Sequence, residues 1–572
     1  MRVQIWLLTF LCLPLPLAGA DARSRVLSYR DYLDKAHGGW LGKISGLTLG
    51  VPKEFEEPWP PSRITYFAQV PDHFSDLYSG DDLYFPLLVQ LCLKKYGTRP
   101  NYREYMREWS ERLYSGRVWG GNGIALEHFW AGIVPPKTGL IGYNSGSHDI
   151  DAQIDFDSAG WVSPGLINQA AAIADYGGHM VCWGDGVDGG VFVAAAISEA
   201  FFSSDVEAVI RRAQAVLPQK STYRAMIDDV LRWHREQPDW KVTRQLLAQK
   251  YSSPQIAEES SAVANGGAVL IGLLYGEKDF GKTVITAMQC RWDSDCNAAT
   301  AGGILGTMLG ASHIPARWSA IFHDEYENYC LRGLPRRLRI SDIARESVEI
   351  GEKVIVDNHG SVQGTGEARI FSIPETEPRA LAREECDSDA LLQENRRAIQ
   401  DYYREKLTPA SKTWGSGWQL TMAGFENPPA VLAEYFGRPN VLRAQPEHDA
   451  NVILERTVTL ASSQHHYLRI GVAHHPTMQN EQLGRPEIGK WKLEVQANGE
   501  KIGEYMVSTQ GGLVVWEDPQ FDLTPYAGQS VRLTLIGHET TGDQIEFYMA
   551  SQTTYWSGID IISLDAPEQW RQ

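Results

Sequence analysis

Between about residues 29 and 355, apolar side chains recur every three or four positions, with polar ones between them. That period is the signature of helices buried along one face. Residues 166–180 and 189–202 are alanine-rich and predict closely packed helices, and residues 203–217 open on serine and aspartate before an amphipathic body. Small residues on helix faces let neighbours approach, so the pattern predicts a compact multi-helix bundle. Residues 361–384 are polar and carry proline and glycine, which reads as a connector. Residues 387–407 read as one exposed amphipathic helix. After Trp414 the period changes to two, and Asn498-Gly499 is a hairpin turn signal. Alternating strands with turns between them predict an antiparallel β-sandwich. The expected organisation is a leader over 1–20, a helical domain over 24–355, a linker with one helix over 356–413, and a sandwich over 414–572.

The 572 residues are enough for two or three domains. The first twenty combine Arg2, an apolar run over 5–17 and a small-residue stretch ending at Ala20, the form of a secretory signal. The run is too short, and too broken by Pro14 and Pro16, to span a membrane, and no later stretch is long and apolar enough. A secreted or periplasmic protein is expected. The formal net charge of −18 argues against nucleic acid as the partner, because such binding leans on a basic surface. Seven cysteines, one of them Cys12 in the leader, are too sparse for a disulfide scaffold. Cys290 and Cys296 are the nearest candidate pair for a bridge; buried free thiols are the alternative.

Two acidic pairs stand out. Asp81 and Asp82 precede an apolar helix, with Pro86 confined to its early turns. Asp293 and Asp295 precede a run of small and apolar residues. One aspartate at a helix start is explained by capping. Two at each of two helix starts also suit an oxygen cage for hard cations, because paired carboxylates repel unless a cation or solvent lies between them. A third cluster, Asp149, Asp151, Asp155 and Asp157, reads as a loop that either extends an acidic cleft or is simply solvated. Asp185 and Asp188 stand among glycines, and Asn122 lies between two others, either lining a site or making tight turns.

The blocks GGWLGKISGLTLGVPKEFE, Asp81-Asp82, GLINQAAAIADYGGHMVCWGDGVDGGVFVAAAISEAFF and WDSDCNAATAGGILGTMLG occur in the order seen in the ADP-ribosylglycohydrolase family. The chain resembles that family's exported bacterial branch over about residues 29–340. The resemblance implies an all-α orthogonal helical bundle with a dinuclear Mg²⁺ centre in a cleft, where a ribosyl or related glycosidic bond is cleaved. It implies Asp81, Asp82, Asp293 and Asp295 as metal ligands, Glu54 as a glutamate near the metals, and His179 as a histidine at a late helix. Ca²⁺ or Mn²⁺ would suit the same oxygen donors. There are two departures. Gly80 stands where the family usually has a hydroxyl residue before Asp-Asp, and Cys296 stands where it has one after the second aspartate. One of the two metal positions is thereby weakened, since a thiol is a poor partner for Mg²⁺. Residues 524–535 resemble, at the level of fold, a jelly-roll, galactose-binding-like module.

The expected activity is a metal-dependent hydrolase of an N- or O-glycosidic bond, acting on a sugar, glycoconjugate or ADP-ribosyl substrate. Glu54, Asp157 and Asp295 are the catalytic candidates, with Asn122, Asp155, His179, Asp185 and Asp188 toward the substrate. A core role for His179 is an equal alternative. The rival reading is an inactive carbohydrate- or ligand-binding scaffold on the same fold. Trp491, Tyr505, Trp516, Tyr548 and Trp556 are available for a sugar platform, though aromatic residues on strands more often fill a core.

Overall fold

The computed structural model describes residues 23–51, 80–113, 118–130, 134–141, 143–251, 260–328 and 330–382 of the helical part. Of the strand-rich part it describes 414–415, 417–422, 425–435, 437–446, 451–462, 464–474, 491–507, 516–539 and 554–565. The leader expected over 1–20, Glu54, Cys386, Tyr548 and the helix expected over 387–407 lie outside the described residues.

The helical part is built around an antiparallel pair, Tyr29–Gly50 and Ser294–Leu309. Gly38, Gly42, Gly46 and Gly50 recur every fourth residue and so share one face of the first helix. They meet Gly306, Gly302, Ala298 and Asp295 in reverse order. A Cβ at Gly42 would lie 2.0 Å from the Gly302 carbonyl oxygen, and one at Gly46 2.0 Å from that of Ala298. Helices normally pack about 8–10 Å apart. These two touch backbone to backbone because the first helix carries only glycines on the shared face and the second meets them with Gly306, Gly302 and Ala298 along most of it. Trp161 closes the other side, with its indole N–H donating to Thr307 Oγ1 at 3.0 Å and its ring 4.5 Å from that of Trp40.

The expected helices form at Ile167–Gly178, Asp185–Ala200, Val206–Ala215 and Thr222–Glu236. Asp205 caps the third by accepting from the Ala208 amide, and Ser221 caps the fourth by accepting from that of Arg224. The connector expected from residue 361 is different. Ile370–Pro374 pairs with both Ser24–Ser28 and Ser361–Gln363, and Phe371 and Ile373 are buried in the helical core. A polar segment with two apolar residues in alternation makes a half-buried strand once a partner edge is present, and that edge lies some 350 positions earlier in the chain.

The strand-rich part is a β-sandwich. One antiparallel sheet runs in the order Gln520–Asp522, Gln464–His474, Thr554–Asp565, Arg438–Pro446, Phe425–Tyr435. The other runs Glu500–Val507, Trp491–Ala497, Ser530–Glu539, Val452–Thr459, Gln419–Met422. Leu468 and Ile470 from the first share a core with Leu493 and Leu533 from the second. The hairpin between Trp491–Ala497 and Glu500–Val507 turns at Asn498 (φ 53°) and Gly499 (φ 86°), as the dipeptide requires. Trp491 and Trp556 pack at 4.9 Å inside this core, so neither belongs to a surface sugar platform.

Candidate metal centre

The Asp81–Tyr96 helix starts on Asp81, preceded by Gly80, which has no side chain to cap it. The Ser294–Leu309 helix has Asp293 at its N-cap, but the Asp293 side chain makes no capping hydrogen bond. Capping therefore does not account for that aspartate. The turn leading into it is costly. Arg291 (φ 69°) and Trp292 (φ 61°) are consecutive left-handed residues, each at about 1–3 kcal/mol. Arg244 braces this turn, donating from Nε to the Cys290 carbonyl at 2.9 Å and placing its guanidinium 4.1 Å from the Trp292 ring centre. From the Ala262–Tyr275 helix, Asn265 Oδ1 accepts from the Asp293 amide at 3.2 Å and from Asn297 Nδ2 at 2.7 Å. Gly50 brings the end of the first helix against the same spot, where a Cβ would lie 2.2 Å from Asp295 Cα.

The result is convergence. Ligand atoms of Asp293, Asp295 and Cys296 lie within 4.8 Å of one another, as do those of Asp81, Asp82 and Cys296. Cys296 belongs to both groups. Behind them, Lys43 Nζ sits 3.1 Å from Asp82 Oδ1 and 3.0 Å from Asp157 Oδ2, and all three side chains are fully buried. Burial alone would lower the lysine's affinity for its proton. Asp157 and Asp82 outweigh burial and raise it, so Lys43 is a fixed internal cation. Burial also raises the carboxyls. Asp295 is pushed up to about 6 by burial and then by Asp82. Asp157 is pushed up to about 6 by burial against the pull of Lys43. Asp81 is raised by burial and by its neighbours Asp82 and Asp295.

Asp149 is half-buried ahead of the first short helix, its Oδ1 accepting from Ser260 Oγ at 3.0 Å, but Asp151, Asp155 and Asp157 are not on a solvated loop. The segment forms two short helices, Asp151–Asp155 and Asp157–Trp161, which are buried throughout. Asn122 Nδ2 donates to Asp155 Oδ1 at 3.2 Å, and Asp155 feels the charge of Asp151 and Asp81. Asp155 Oδ2 and Asn122 Oδ1 have no hydrogen-bond partner among the described residues. Asp151 instead holds the start of the Gly120–Trp130 helix, accepting from the amides of Gly121 (2.9 Å) and Asn122 (3.0 Å). Asp157 was expected as a general-base candidate. Its Oδ2 is bound to Lys43, and its Oδ1 faces the Ser294–Leu309 helix, where a Cβ on Gly303 would lie 3.6 Å away. It positions Lys43, and through it Asp82.

Three residues expected toward the substrate make local contacts. Asp185 Oδ1 accepts from the Tyr223 amide at 3.0 Å, tying down the start of the Thr222–Glu236 helix. Asp188 lies buried in the first turn of Asp185–Ala200, facing Tyr223. His179 ends the Ile167–Gly178 helix, with Nδ1 at 2.6 Å from the Asp175 carbonyl and its ring edge-on to Trp183. Asp185 and His179 each have a backbone partner within reach. Cys290 and Cys296 are unbridged thiols, so the expected nearest disulfide pair does not form.

The residues fit a divalent cation. Asp295 Oδ1 is buried and has no hydrogen-bond partner among the described residues, in one of two acidic groups that share Cys296. Buried acceptors of this kind are costly unless a counter-charge completes them. Sequence reasoning missed Lys43, Asn265 and Arg244. The signal for the first two was a lone polar side chain in a glycine- and leucine-rich helix face, GKISGL and ANGGAV.

A helical bundle that gathers carboxylates from separate segments into one buried cluster is the frame of a hydrolase-type domain. The profile of the ADP-ribosylglycohydrolase family matches residues 28–348, more than half the chain, and the chain belongs to that family. Among solved structures, an "ADP-ribosylglycohydrolase-related protein complex" is 16% identical, covers 56% of this chain and 99% of its own, and has a TM-score of 0.38. TmCBM61 in complex with β-1,4-galactotriose is 12% identical, covers 27% of this chain and 94% of its own, with a TM-score of 0.19. A cyclase from Fischerella sp. TAU is 10% identical, covers 27% and 82%, with a TM-score of 0.17. No curated protein matches.

Proposed function

We propose that the helical domain hydrolyses a ribosyl or other glycosyl bond, N- or O-linked, in a sugar, glycoconjugate or ADP-ribosyl substrate, with a divalent cation held by Asp81, Asp82, Asp293 and Asp295. The observation that carries this reading is the meeting of two aspartate pairs at Cys296, one of them including a buried Asp295 Oδ1 with no hydrogen-bond partner among the described residues. A cation bound there would grip sugar hydroxyls and make a bound water more acidic. Lys43 holds Asp82 in place, and Asp157 holds Lys43 in place. Asp155 Oδ2 and Asn122 Oδ1 are buried acceptors without a hydrogen-bond partner among the described residues and suit sugar hydroxyls, and Asp155 is the carboxylate we assign to take a proton from an attacking water. Negative charge at this point also favours the oxocarbenium-like state through which such bonds break.

The departures at Gly80 and Cys296 support one rival, an inactive scaffold that binds the same ligands without turnover. Activity separates the two. Purified full-length protein, screened against ADP-ribosylated peptides and nitrophenyl furanosides, is expected to lose at least about a hundredfold in kcat/KM on Asp295→Ala or on chelation by EDTA. Turnover unchanged by both sinks the metal-dependent reading, and no turnover on any substrate favours the scaffold. The leader over residues 1–20 leads us to place the protein outside the cytoplasm, which cell fractionation and N-terminal sequencing would test.

A further inference from the structure

We propose that the aspartate centre of this chain takes a thiolate-binding divalent cation, of the zinc or cobalt(II) class, with Cys296 Sγ as a direct ligand. The inference rests on reading the cluster as a metal centre and goes further by naming the class of cation.

Two independent features point to it. The first is position. Cys296 Sγ is within 4.8 Å of carboxylate oxygens from both aspartate pairs, the one ligand atom common to the two groups. Ligands on opposite sides of a single cation stand about 4–5 Å apart when each bond is about 2.0–2.3 Å long. The second is Asp295, a residue only 5% exposed, whose Oδ1 has no hydrogen-bond partner among the described residues and which belongs to the same group as Cys296. A cation completes both at once.

The chemistry of the donors selects the cation. Mg²⁺ demands oxygen ligands in near-octahedral order, and a sulfur at the centre of the set works against it. Zinc and cobalt(II) accept one thiolate with carboxylates. No disulfide competes for this sulfur. Its apolar side packs on Ile150 and Ile154, which fixes the side chain without using the sulfur's lone pairs. Binding exchanges the thiol proton for the cation, and the proton leaves to solvent.

Cobalt(II) reads the ligand set without any need for turnover. Full-length protein stripped with chelator and titrated with Co²⁺ is expected to develop the near-ultraviolet sulfur-to-cobalt charge-transfer band. That band should be kept in Cys290→Ser and lost in Cys296→Ser, with cobalt bound at least about tenfold more weakly in the latter. Zn²⁺ should displace the cobalt at far lower concentration than Mg²⁺. Cys296→Ala serves as the second variant, and thermal melting shows that each variant is folded. If Co²⁺ binds wild type without a sulfur band, or binds Cys296→Ser with the same spectrum and affinity, the thiolate ligand is refuted while the metal centre stands. If neither Co²⁺ nor Mg²⁺ binds wild type in equilibrium dialysis, both readings fall.

Discussion

Lys43 is a full positive charge with no access to water, 3.1 Å from one carboxylate and 3.0 Å from another. Removing one partner from a buried ionic group costs about 3–5 kcal/mol, because the charges left behind have neither solvent nor counter-ion. Lys43→Met keeps the volume of the side chain and discards the charge, so it is expected to destabilise the helical domain by about that amount. Burial already holds the Asp157 carboxyl near 6 with Lys43 present, so without Lys43 it takes a proton more readily. The deficit should therefore shrink between pH 7.5 and pH 5, as urea unfolding at both values would show. An equal deficit at both would mean that the lost interaction was packing and not charge.

The glycine ladder makes a finer test possible, since neighbouring glycines on one helix face different surroundings. A Cβ on Gly302 would lie 2.3 Å from the Gly42 carbonyl oxygen, a backbone atom that cannot step aside. Gly302→Ala is expected to cost about 1–3 kcal/mol or more by forcing the two central helices apart. It should weaken cation binding too, because the same contact sets Asp295 against Gly50. On Gly303 the nearest atoms are 3.6 Å away, an ordinary contact. Gly303→Ala removes backbone freedom from the unfolded chain and is expected to be neutral or to stabilise by about 0.5–1 kcal/mol. Unfolding midpoints of the two variants should fall on opposite sides of wild type or nearly so. Equal losses would contradict the backbone-to-backbone contact.

The acidic centre also shapes how the folded protein answers to pH. In the metal-free state Asp295 and Asp157 titrate near 6 and Asp151 near 7, with burial as the first cause in each case. Asp81 and Asp155 are raised as well. An aspartate in the unfolded chain titrates near 3.9. Between about pH 4 and 7 the folded state thus holds more protons than the unfolded one, and stability falls as pH rises through that window. The metal-free helical domain is expected to melt a few degrees higher at pH 5.5 than at pH 8, followed by circular dichroism. A bound divalent cation stabilises the ionised form and should flatten the dependence. A metal-free Tm that climbs with pH over this range would contradict the stacking of carboxyls described above.

Local regularities were legible in the chain. Period 3.6 gave the helices, period two gave the strands, and Asn498-Gly499 gave the turn its backbone angles demand. Asp81-Asp82 and Asp293-x-Asp295 were visible as acidic pairs at helix starts because neighbours in sequence stay neighbours there. The long-range partners were not legible. Lys43 meets Asp157 from 114 positions away, and Ile370–Pro374 becomes a strand only beside Ser24–Ser28. The backbone partners of His179 and Asp185 were likewise not legible. Trp491 and Trp556 looked available to a sugar until the two sheets closed on them. Composition and period decide which elements form, since they set which face each must bury. Which carboxylates converge, and what compensates their charge, was decided by close packing between distant segments, with the glycine faces of two helices setting the distance.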